Sequence, residues 1–190
     1  VRPQHRVGAW ELRHELAEGR FPQNIDLRVQ RKDGAVMVLN GSFAPLSGRQ
    51  DSMLLSFRDV TDDRKMEDEL VRTRNFLQSL IEASVDAIVA ADLKGTIILF
   101  NRGAERLYGY RAADVVNKMH VKRLYPGDGA RDVMRMLRSR KHGGVDRLGP
   151  ITIDAIDCKG DVVPISITAA VIHEGGKPIA SFGIFTDLRD

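Results

Sequence analysis

The segment DAIVAADLKGTIILFNRGAERLYGY, residues 86–110, decides the fold of this 190-residue chain. An apolar run at residues 87–91 is followed by the turn signal DLKG at residues 92–95 and by a second apolar run at residues 96–100. Two short apolar runs around such a turn predict a β-hairpin. Asn101 follows the second strand directly, and asparagine at that place can cap the first turn of a helix. The segment therefore predicts strand, turn, strand and helix in that order.

Helices and three further strands are predicted after this segment. Turn-forming residues at 126–129 separate short helical segments from a helix predicted over residues 130–140. Alternating apolar residues then predict strands at residues 151–156, 163–171 and 179–185. Because each strand has one apolar face that needs a cover, the helices are expected to pack on one side of the sheet. The predicted class is α+β.

An incomplete copy of this pattern precedes it. RKDGAVMV at residues 31–38 parallels DCKGDVVP at residues 157–164, and SFRDVT at residues 56–61 parallels IFTDLR at residues 184–189. The copies are 126 residues apart at the glycines and 128 at the aspartates. Two extra residues in a later surface loop, residues 173–178, would explain the difference. A repeat of this length is a domain and not a solenoid unit.

The first copy contains only the last part of that domain. The end of a helix is predicted at residues 7–18, followed by strands at residues 25–29, 36–44 and 53–57. We therefore expect a truncated domain at residues 1–60, in a chain that is a piece of a longer tandem array.

Between the copies, residues 61–84 contain no glycine or proline and predict one helix. Thr61 is the expected N-cap. Side chains recur at alternating spacings of four and three, which is the pattern of a short coiled-coil seam, at Met66, Leu70, Thr73, Leu77 and Leu80. This pattern predicts a homodimer through residues 61–84. The alternative is an amphipathic helix that packs on its own domain.

The hairpin, Asn101 and the Gly109-Tyr110 pair together resemble the sensory PAS domains of bacterial signalling proteins. The resemblance implies a PAS fold, with a five-stranded antiparallel sheet in spatial order 2-1-5-4-3, helices on one face and a pocket between them. A complete PAS domain is expected at residues 85–190. The first copy resembles the last three strands of the same fold.

The resemblance also implies a signal exit after each final strand. Asp59, Val60 and Thr61 resemble the Asp-Ile-Thr ending with which many PAS domains pass from the last strand to an output helix. Asp187 is the equivalent residue of the second copy, but Leu188 and Arg189 follow it there.

Candidate pocket-lining residues are Asn101, Tyr108, Met119, Leu124, Val133 and Leu137. Asn101 has two interpretations, since its amide could cap the following helix or bind a ligand. The apolar side chains either line a cavity or fill it.

No catalytic, phosphate-binding or paired-cysteine motif is present, so no enzyme activity is predicted. The five histidines, His5, His14, His120, His142 and His173, lack metal-ligand spacing. Haem-binding PAS domains use a histidine on the helix before the third strand, and residues 130–138 contain none. Flavin photochemistry needs a cysteine in the middle helices, whereas the single cysteine, Cys158, falls in a predicted hairpin turn. We expect no haem or flavin, and only a small organic ligand as a candidate.

The charge is nearly balanced, with 29 basic and 26 acidic residues and a net charge of +3, which does not imply a nucleic-acid partner. One cysteine suits a reducing compartment. No apolar run exceeds five residues, the length of residues 87–91, which is too short to span a membrane. The expected location is the cytoplasm, which leaves open a membrane anchor elsewhere in the parent protein.

The sequence thus predicts a sensory and dimerisation module that transmits a signal to an output domain, with a two-component sensor histidine kinase as the parent protein. Three alternatives remain. The module could belong to a diguanylate cyclase, phosphodiesterase or transcriptional regulator. It could be a structural spacer PAS domain without a ligand, or a haem or flavin sensor.

Overall fold

A computed structural model describes residues 9–46, 52–139 and 144–189. The chain divides into two compact units, residues 1–74 and 75–190. The helix predicted between the two copies belongs partly to each unit. The predicted division of the chain into a truncated domain, a linker and a complete domain stays a prediction.

The first unit is a three-stranded antiparallel sheet in the order β1-β2-β3, as the sequence predicts. Ile25 and Phe43 are its buried apolar side chains, while every residue of the third strand is exposed. The predicted residues 7 and 8 of the first helix, and a predicted loop at residues 47–50, lie outside the described residues. The elements of this unit are α1 (Ala9–Ala17), β1 (Ile25–Gln30), β2 (Val36–Pro45), β3 (Met53–Asp59) and the first part of α2 (Thr61–Ala83).

The prediction that Thr61 is the N-cap of α2 was wrong. Thr61 is the first helical residue, and the Val60 carbonyl accepts the first helical hydrogen bond from the Arg64 N–H at 2.9 Å. The Asp59 carboxylate accepts the Thr61 N–H at 3.0 Å, and so satisfies one of the free amides of the first helical turn. The Thr61 hydroxyl instead accepts a hydrogen bond from the Val38 N–H at 2.9 Å, which ties the helix start to β2.

The second unit has a five-stranded antiparallel sheet in the order β5-β4-β8-β7-β6. This order confirms the predicted 2-1-5-4-3 arrangement. Its elements are the rest of α2, β4 (Ala87–Asp92), β5 (Ile97–Phe100), α3 (Arg102–Tyr108), α4 (Ala112–Val115), a 3₁₀ turn (Val121–Leu124), α5 (Gly129–Leu137), β6 (Arg147–Ile156), β7 (Val162–Glu174) and β8 (Lys177–Asp187). Arg140, the predicted end of the helix before β6, lies outside the described residues.

A surface loop at residues 173–178 was predicted, but the structure has a tight β-hairpin there. Glu174 pairs with Lys177, and both intervening residues have positive φ angles, 56° at Gly175 and 78° at Gly176. Two consecutive positive φ angles favour a two-residue hairpin turn that matches the strand twist, and glycine adopts them without strain. The strands β7 and β8 therefore extend further than predicted.

The core of the second unit lies between one face of the sheet and the helices. Alternate residues of β7, such as Ile165 and Ile167, are buried on that face. Leu107 of α3 and Leu137 of α5 belong to the same cluster from the helical side. The alternation along each strand thus places one apolar face under the helical layer.

The internal repeat is reproduced in the strand register. Gly41 of β2 pairs with Phe57 of β3, and the equivalent residues Ile167 of β7 and Phe185 of β8 also pair. The residues of β1 and β2 correspond to those 126 positions later in β6 and β7, and the residues of β3 to those 128 positions later in β8. With these offsets, every residue pair of the first sheet has an equivalent pair in the second. The first unit therefore has the topology of the last three strands of the second.

Candidate functional site

A small cavity lies between the sheet and the helices of the second unit. Its volume is about 50 Å³, well below the ~300–1,000 Å³ of ordinary small-molecule sites. Residues of β4, β7, β8 and α5 line it, and Ser181 and Tyr125 carry the only side-chain hydroxyls among them. The cavity offers room for a few small atoms in mainly apolar surroundings.

The predicted pocket residues meet in one core, but not all of them reach the cavity. Val133 and Leu137 line it. Tyr108, Met119 and Leu124 are buried in the same cluster without lining it. Val121, Tyr125, Met134 and Ser181 also line the cavity but were not predicted to, because their place depends on how the helices pack over the sheet.

Asn101 is fully engaged by the backbone. Its side-chain oxygen accepts hydrogen bonds from the Ala104 N–H at 2.9 Å and the Ile88 N–H at 2.8 Å. Its amide group donates to the carbonyls of Ile81 at 2.9 Å and Asp86 at 3.1 Å. An asparagine side chain has two donor hydrogens and two acceptor lone pairs, so nothing is left for a ligand. The geometry supports the capping interpretation and opposes the ligand interpretation.

These bonds make Asn101 the centre of a junction between the end of α2 and the start of α3. The Arg102 N–H donates to the Glu82 carboxylate at 3.1 Å, and Arg106 donates to the carbonyls of Ser84 and Val85 at 3.3 Å. We call residues 81–88 and 101–106 the junction. Sequence reasoning found the cap but missed Ile81, because the carbonyl that Asn101 binds lies 20 residues earlier in the chain.

Gly103 allows the two sides of the junction to approach closely. A β-carbon added at this position would lie 2.2 Å from the Asp86 carbonyl oxygen, which is far inside van der Waals contact. The junction therefore requires glycine at this point of α3, although glycine is a poor helix former.

Tyr108 has a buried hydroxyl without a hydrogen-bond partner among the described residues. Its ring packs against Phe100 and Phe185, with centroid distances of 6.0 Å in both cases. Burial, reinforced by the neighbouring Tyr125, raises the pKa of Tyr108 well above its usual value of 10.0. Burial also raises the pKa of Tyr125. Both side chains are therefore neutral over the physiological range.

The two predicted signal exits have similar turns. The Asp59 carboxylate accepts the Thr61 N–H, and the Asp187 carboxylate accepts the Arg189 N–H, each at 3.0 Å. Hydrogen bonds from Thr61 lower the pKa of Asp59, and the side chain of Arg189 lowers that of Asp187. Arg189 stands where the Asp-Ile-Thr ending has threonine, and the turn is nevertheless retained.

Helix α2 begins with an ion pair to its own unit and carries exposed apolar side chains. Arg64 donates to the Asp26 carboxylate of β1 at 2.7 Å. The apolar residues of the predicted seam are each more than half exposed, namely Met66, Leu70, Leu77 and Leu80, and Thr73 is exposed as well. Phe76, beside the seam, is also exposed. Among the described residues, these seam side chains are therefore not packed on their own domain as the alternative predicts.

The described residues do not fit a haem or flavin group. α5 carries no histidine, and Met134 is its residue at the cavity that could approach a metal. The cavity is too small for either group. Among the described residues no cluster of three or more histidine, cysteine or acidic side chains could hold a metal ion. His5 and His142 lie outside that part of the chain.

Cys158 is exposed in the turn between β6 and β7, where its N–H donates to the Tyr108 carbonyl at 2.8 Å. This turn packs against the end of α3, since a β-carbon added at Gly109 would lie 2.7 Å from the Cys158 Sγ. The cysteine lies in a hairpin turn, as predicted. Within residues 9–46, 52–139 and 144–189, no helix is both long and apolar enough to cross a membrane.

A five-stranded antiparallel sheet with this strand order, helices over one face and a cavity between them defines a PAS-type sensory domain. A model of the PAS fold matches residues 75–188, and the chain belongs to this family. An uncharacterized protein of Azorhizobium caulinodans is 27% identical over 117 residues, which are 60% of this chain and 16% of that relative. The chain thus spans a small part of the relative's length.

Solved PAS domains have the same fold. One from a protein of Colwellia psychrerythraea shares 25% identity at a TM-score of 0.52, and the match covers 63% of this chain and 97% of that domain. A PAS domain from a two-component sensor histidine kinase shares 13% identity at a TM-score of 0.51, covering 63% of this chain and 98% of that domain. At such identities these structures establish the fold and not the signal.

Proposed function

We propose that this chain is a cytoplasmic sensory and dimerisation module of a sensor histidine kinase, in which α2 joins two chains and carries motion between PAS units. The observation that carries this proposal is the exposed apolar seam of α2. Burying such side chains stabilises a protein by about 1.5–3 kcal/mol each, so a partner helix gains substantially from covering them. A parallel partner would place the two chains side by side.

The junction around Asn101 supports a role for α2 in transmission. The Ile81 carbonyl in the last turns of α2 is held by Asn101, which also holds Asp86 and Ile88 at the start of the sheet. A rotation or shift of α2 would therefore move the start of β4 and α3 together. Small helix shifts of this type are an established means of switching between two states.

Thr73 lies in the middle of the seam, where its hydroxyl makes the helix pair weaker than leucine would. A weak centre suits a joint that must adopt two arrangements of similar energy. The output domain is proposed to be a histidine kinase. The similar PAS domain from such a kinase supports the fold. If the output domain is instead a cyclase, a phosphodiesterase or a transcriptional regulator, α2 would transmit motion to it in the same way.

The small cavity favours a second candidate, a spacer PAS domain that transmits motion without a ligand. A volume of about 50 Å³ leaves no room for a conventional cofactor. We propose that the purified protein is colourless and holds at most a small noncovalent organic molecule. Native mass spectrometry distinguishes the ligand-bound module from the spacer, and a Soret band or flavin spectrum at near-stoichiometric occupancy would contradict both.

Light scattering tests the dimer. The wild-type chain is expected at twice the mass of one chain, and Leu70→Asp with Leu77→Asp is expected to give folded monomers, because a buried charge in the seam is costly. Asn75→Asp with Ser79→Asp is the matched control, since it adds the same charges on the opposite side of α2 and should leave the dimer intact. A monomeric wild type, or a double seam variant that remains dimeric, would refute the proposed contact.

A further inference from the structure

The third strand of the first unit has one unpaired edge. β2 pairs with β3 from Leu39 to Pro45, and no described strand lies along the other side of β3. All residues of β3 are exposed, including Met53, Leu55 and Phe57 on one face. An exposed apolar edge strand is a ready site for pairing with another strand, and proteins usually protect it.

The second unit shows what covers the same position when the fold is complete. Phe57 is 49% exposed, whereas its equivalent Phe185 is 2% exposed. Phe185 lies opposite Ala87 of β4, and its ring packs against Tyr108 and Tyr125. A strand on the free edge and a layer of helices above it therefore account for the difference in burial.

We propose that the free edge of β3 docks a segment with the fold of the first half of a PAS domain. The docking segment is a β-hairpin followed by helices, with the pattern of residues 86–125. Its first strand pairs antiparallel with β3. The residue equivalent to Ala87 lies opposite Phe57, and the residue equivalent to Val89 lies opposite Leu55, as the β4 to β8 register dictates.

The order of elements favours this occupant over a second copy of β3. α1 precedes β1 as α5 precedes β6, so the described elements of the first unit correspond to the last helix and the last three strands of the fold. A second β3 strand would satisfy the edge but would bring no helices over Phe57. Only a hairpin with its helices covers both the backbone edge and the apolar face.

The test adds a copy of residues 85–126 directly ahead of Val1 in the full chain. Hydrogen exchange is then followed at the amides of β3. In the unextended chain, alternate amides of residues 53–57 point away from β2 and should exchange rapidly. In the extended chain these amides should exchange roughly tenfold more slowly or better, since they become part of a closed ladder.

The control is the same extension with Val89→Pro in the added copy, because proline has no N–H and breaks a central strand. This control should restore rapid exchange. The proposal is overturned if the intact extension gives no protection, or if the proline control protects β3 equally well. Slow exchange of these amides in the chain without any extension would show that another surface covers the edge, and would also overturn it.

Discussion

Asn101 is the residue on which the geometry of the second unit most depends. It is 1% exposed and makes four hydrogen bonds to backbone groups of three separate segments. A helix cap alone is worth about 1 kcal/mol. Leaving a buried backbone group without a partner costs about 1–3 kcal/mol more. The cost of removing this side chain should therefore exceed that of an ordinary cap.

We predict that Asn101→Ala lowers the free energy of unfolding by about 3 kcal/mol, measured by urea denaturation of the full chain. Asn101→Asp is the informative comparison, because it keeps the oxygen that accepts from Ala104 and Ile88. It also places a buried carboxylate oxygen against the Ile81 and Asp86 carbonyls, so it should cost at least as much stability as Asn101→Ala. A loss of 1 kcal/mol or less for Asn101→Ala would mean that the bonds to Ile81, Asp86 and Ile88 contribute nothing beyond the cap.

Tyr108 gives the second prediction at this scale. Tyr108→Phe should not lower stability at neutral pH, since it removes a buried hydroxyl that has no partner among the described residues. The raised pKa of Tyr108 in the folded state means that stability is complete below about pH 10 and falls above it. The unfolded chain then ionises while the folded chain does not.

For each such tyrosine the unfolding free energy should fall by about 1.4 kcal/mol per pH unit above pH 10. Urea denaturation over this range should therefore show a shallower decline for Tyr108→Phe than for wild type. Tyr125→Phe should behave in the same direction. Equal slopes for wild type and both variants would show that these hydroxyls ionise as readily in the folded chain as in the unfolded one. A clear loss of stability for Tyr108→Phe at neutral pH would show that the hydroxyl has a stabilising partner.

Among the elements, α3 shows most clearly how close packing overrides local propensity. Gly103→Ala would favour an isolated helix by about 1 kcal/mol. The added β-carbon would however meet the Asp86 carbonyl oxygen at 2.2 Å, and overpacking against backbone costs about 1–3 kcal/mol or more. The steric clash should outweigh the gain in helix propensity, because the Asp86 carbonyl is itself held by a hydrogen bond from Asn101.

We predict that Gly103→Ala destabilises the second unit by about 2 kcal/mol, read from hydrogen exchange of its core strands. Gly160→Ala is the matched control. It has a φ of 89° and nothing within 4 Å of an added β-carbon, so only the backbone strain of about 1 kcal/mol applies. A neutral or stabilising Gly103→Ala would show that α3 can move away from the junction at little cost.

The strands could be predicted from sequence because their determinants are local or repeated. Alternation placed β1, β2 and β6, and the repeat offsets of 126 and 128 residues match the register of both sheets. The hairpin at Gly175-Gly176 was missed because an insertion was treated as a loop. The helix start was misassigned because the hydrogen bond from Val38 to Thr61 joins residues 23 positions apart.

The site was less predictable than the fold, for a physical reason. Whether Tyr108, Met119 and Leu124 line a cavity or fill it depends on distances between helices and sheet, which no periodicity encodes. The side chains fill most of the space and leave about 50 Å³. The bonds of Asn101 to Ile81 and Asp86 are likewise tertiary contacts without a sequence signature.

At the scale of the whole molecule, we propose that two chains associate in parallel through α2. The two units of each chain are linked by this helix, whose apolar seam is exposed in the single chain. A parallel pair brings residue 70 of one chain next to residue 70 of the other, whereas residue 75 lies on the outer side. Cysteine cross-linking therefore reports both the contact and its direction.

The most direct test is mild oxidation of Leu70→Cys in a Cys158→Ser background, with Asn75→Cys in the same background as control. Removing the exposed native thiol leaves the introduced cysteine as the reactive one. We predict a disulfide-linked dimer for Leu70→Cys and no appreciable cross-linking for Asn75→Cys on denaturing gels. Absence of the Leu70→Cys dimer, or equal cross-linking of both variants, would contradict parallel association through α2.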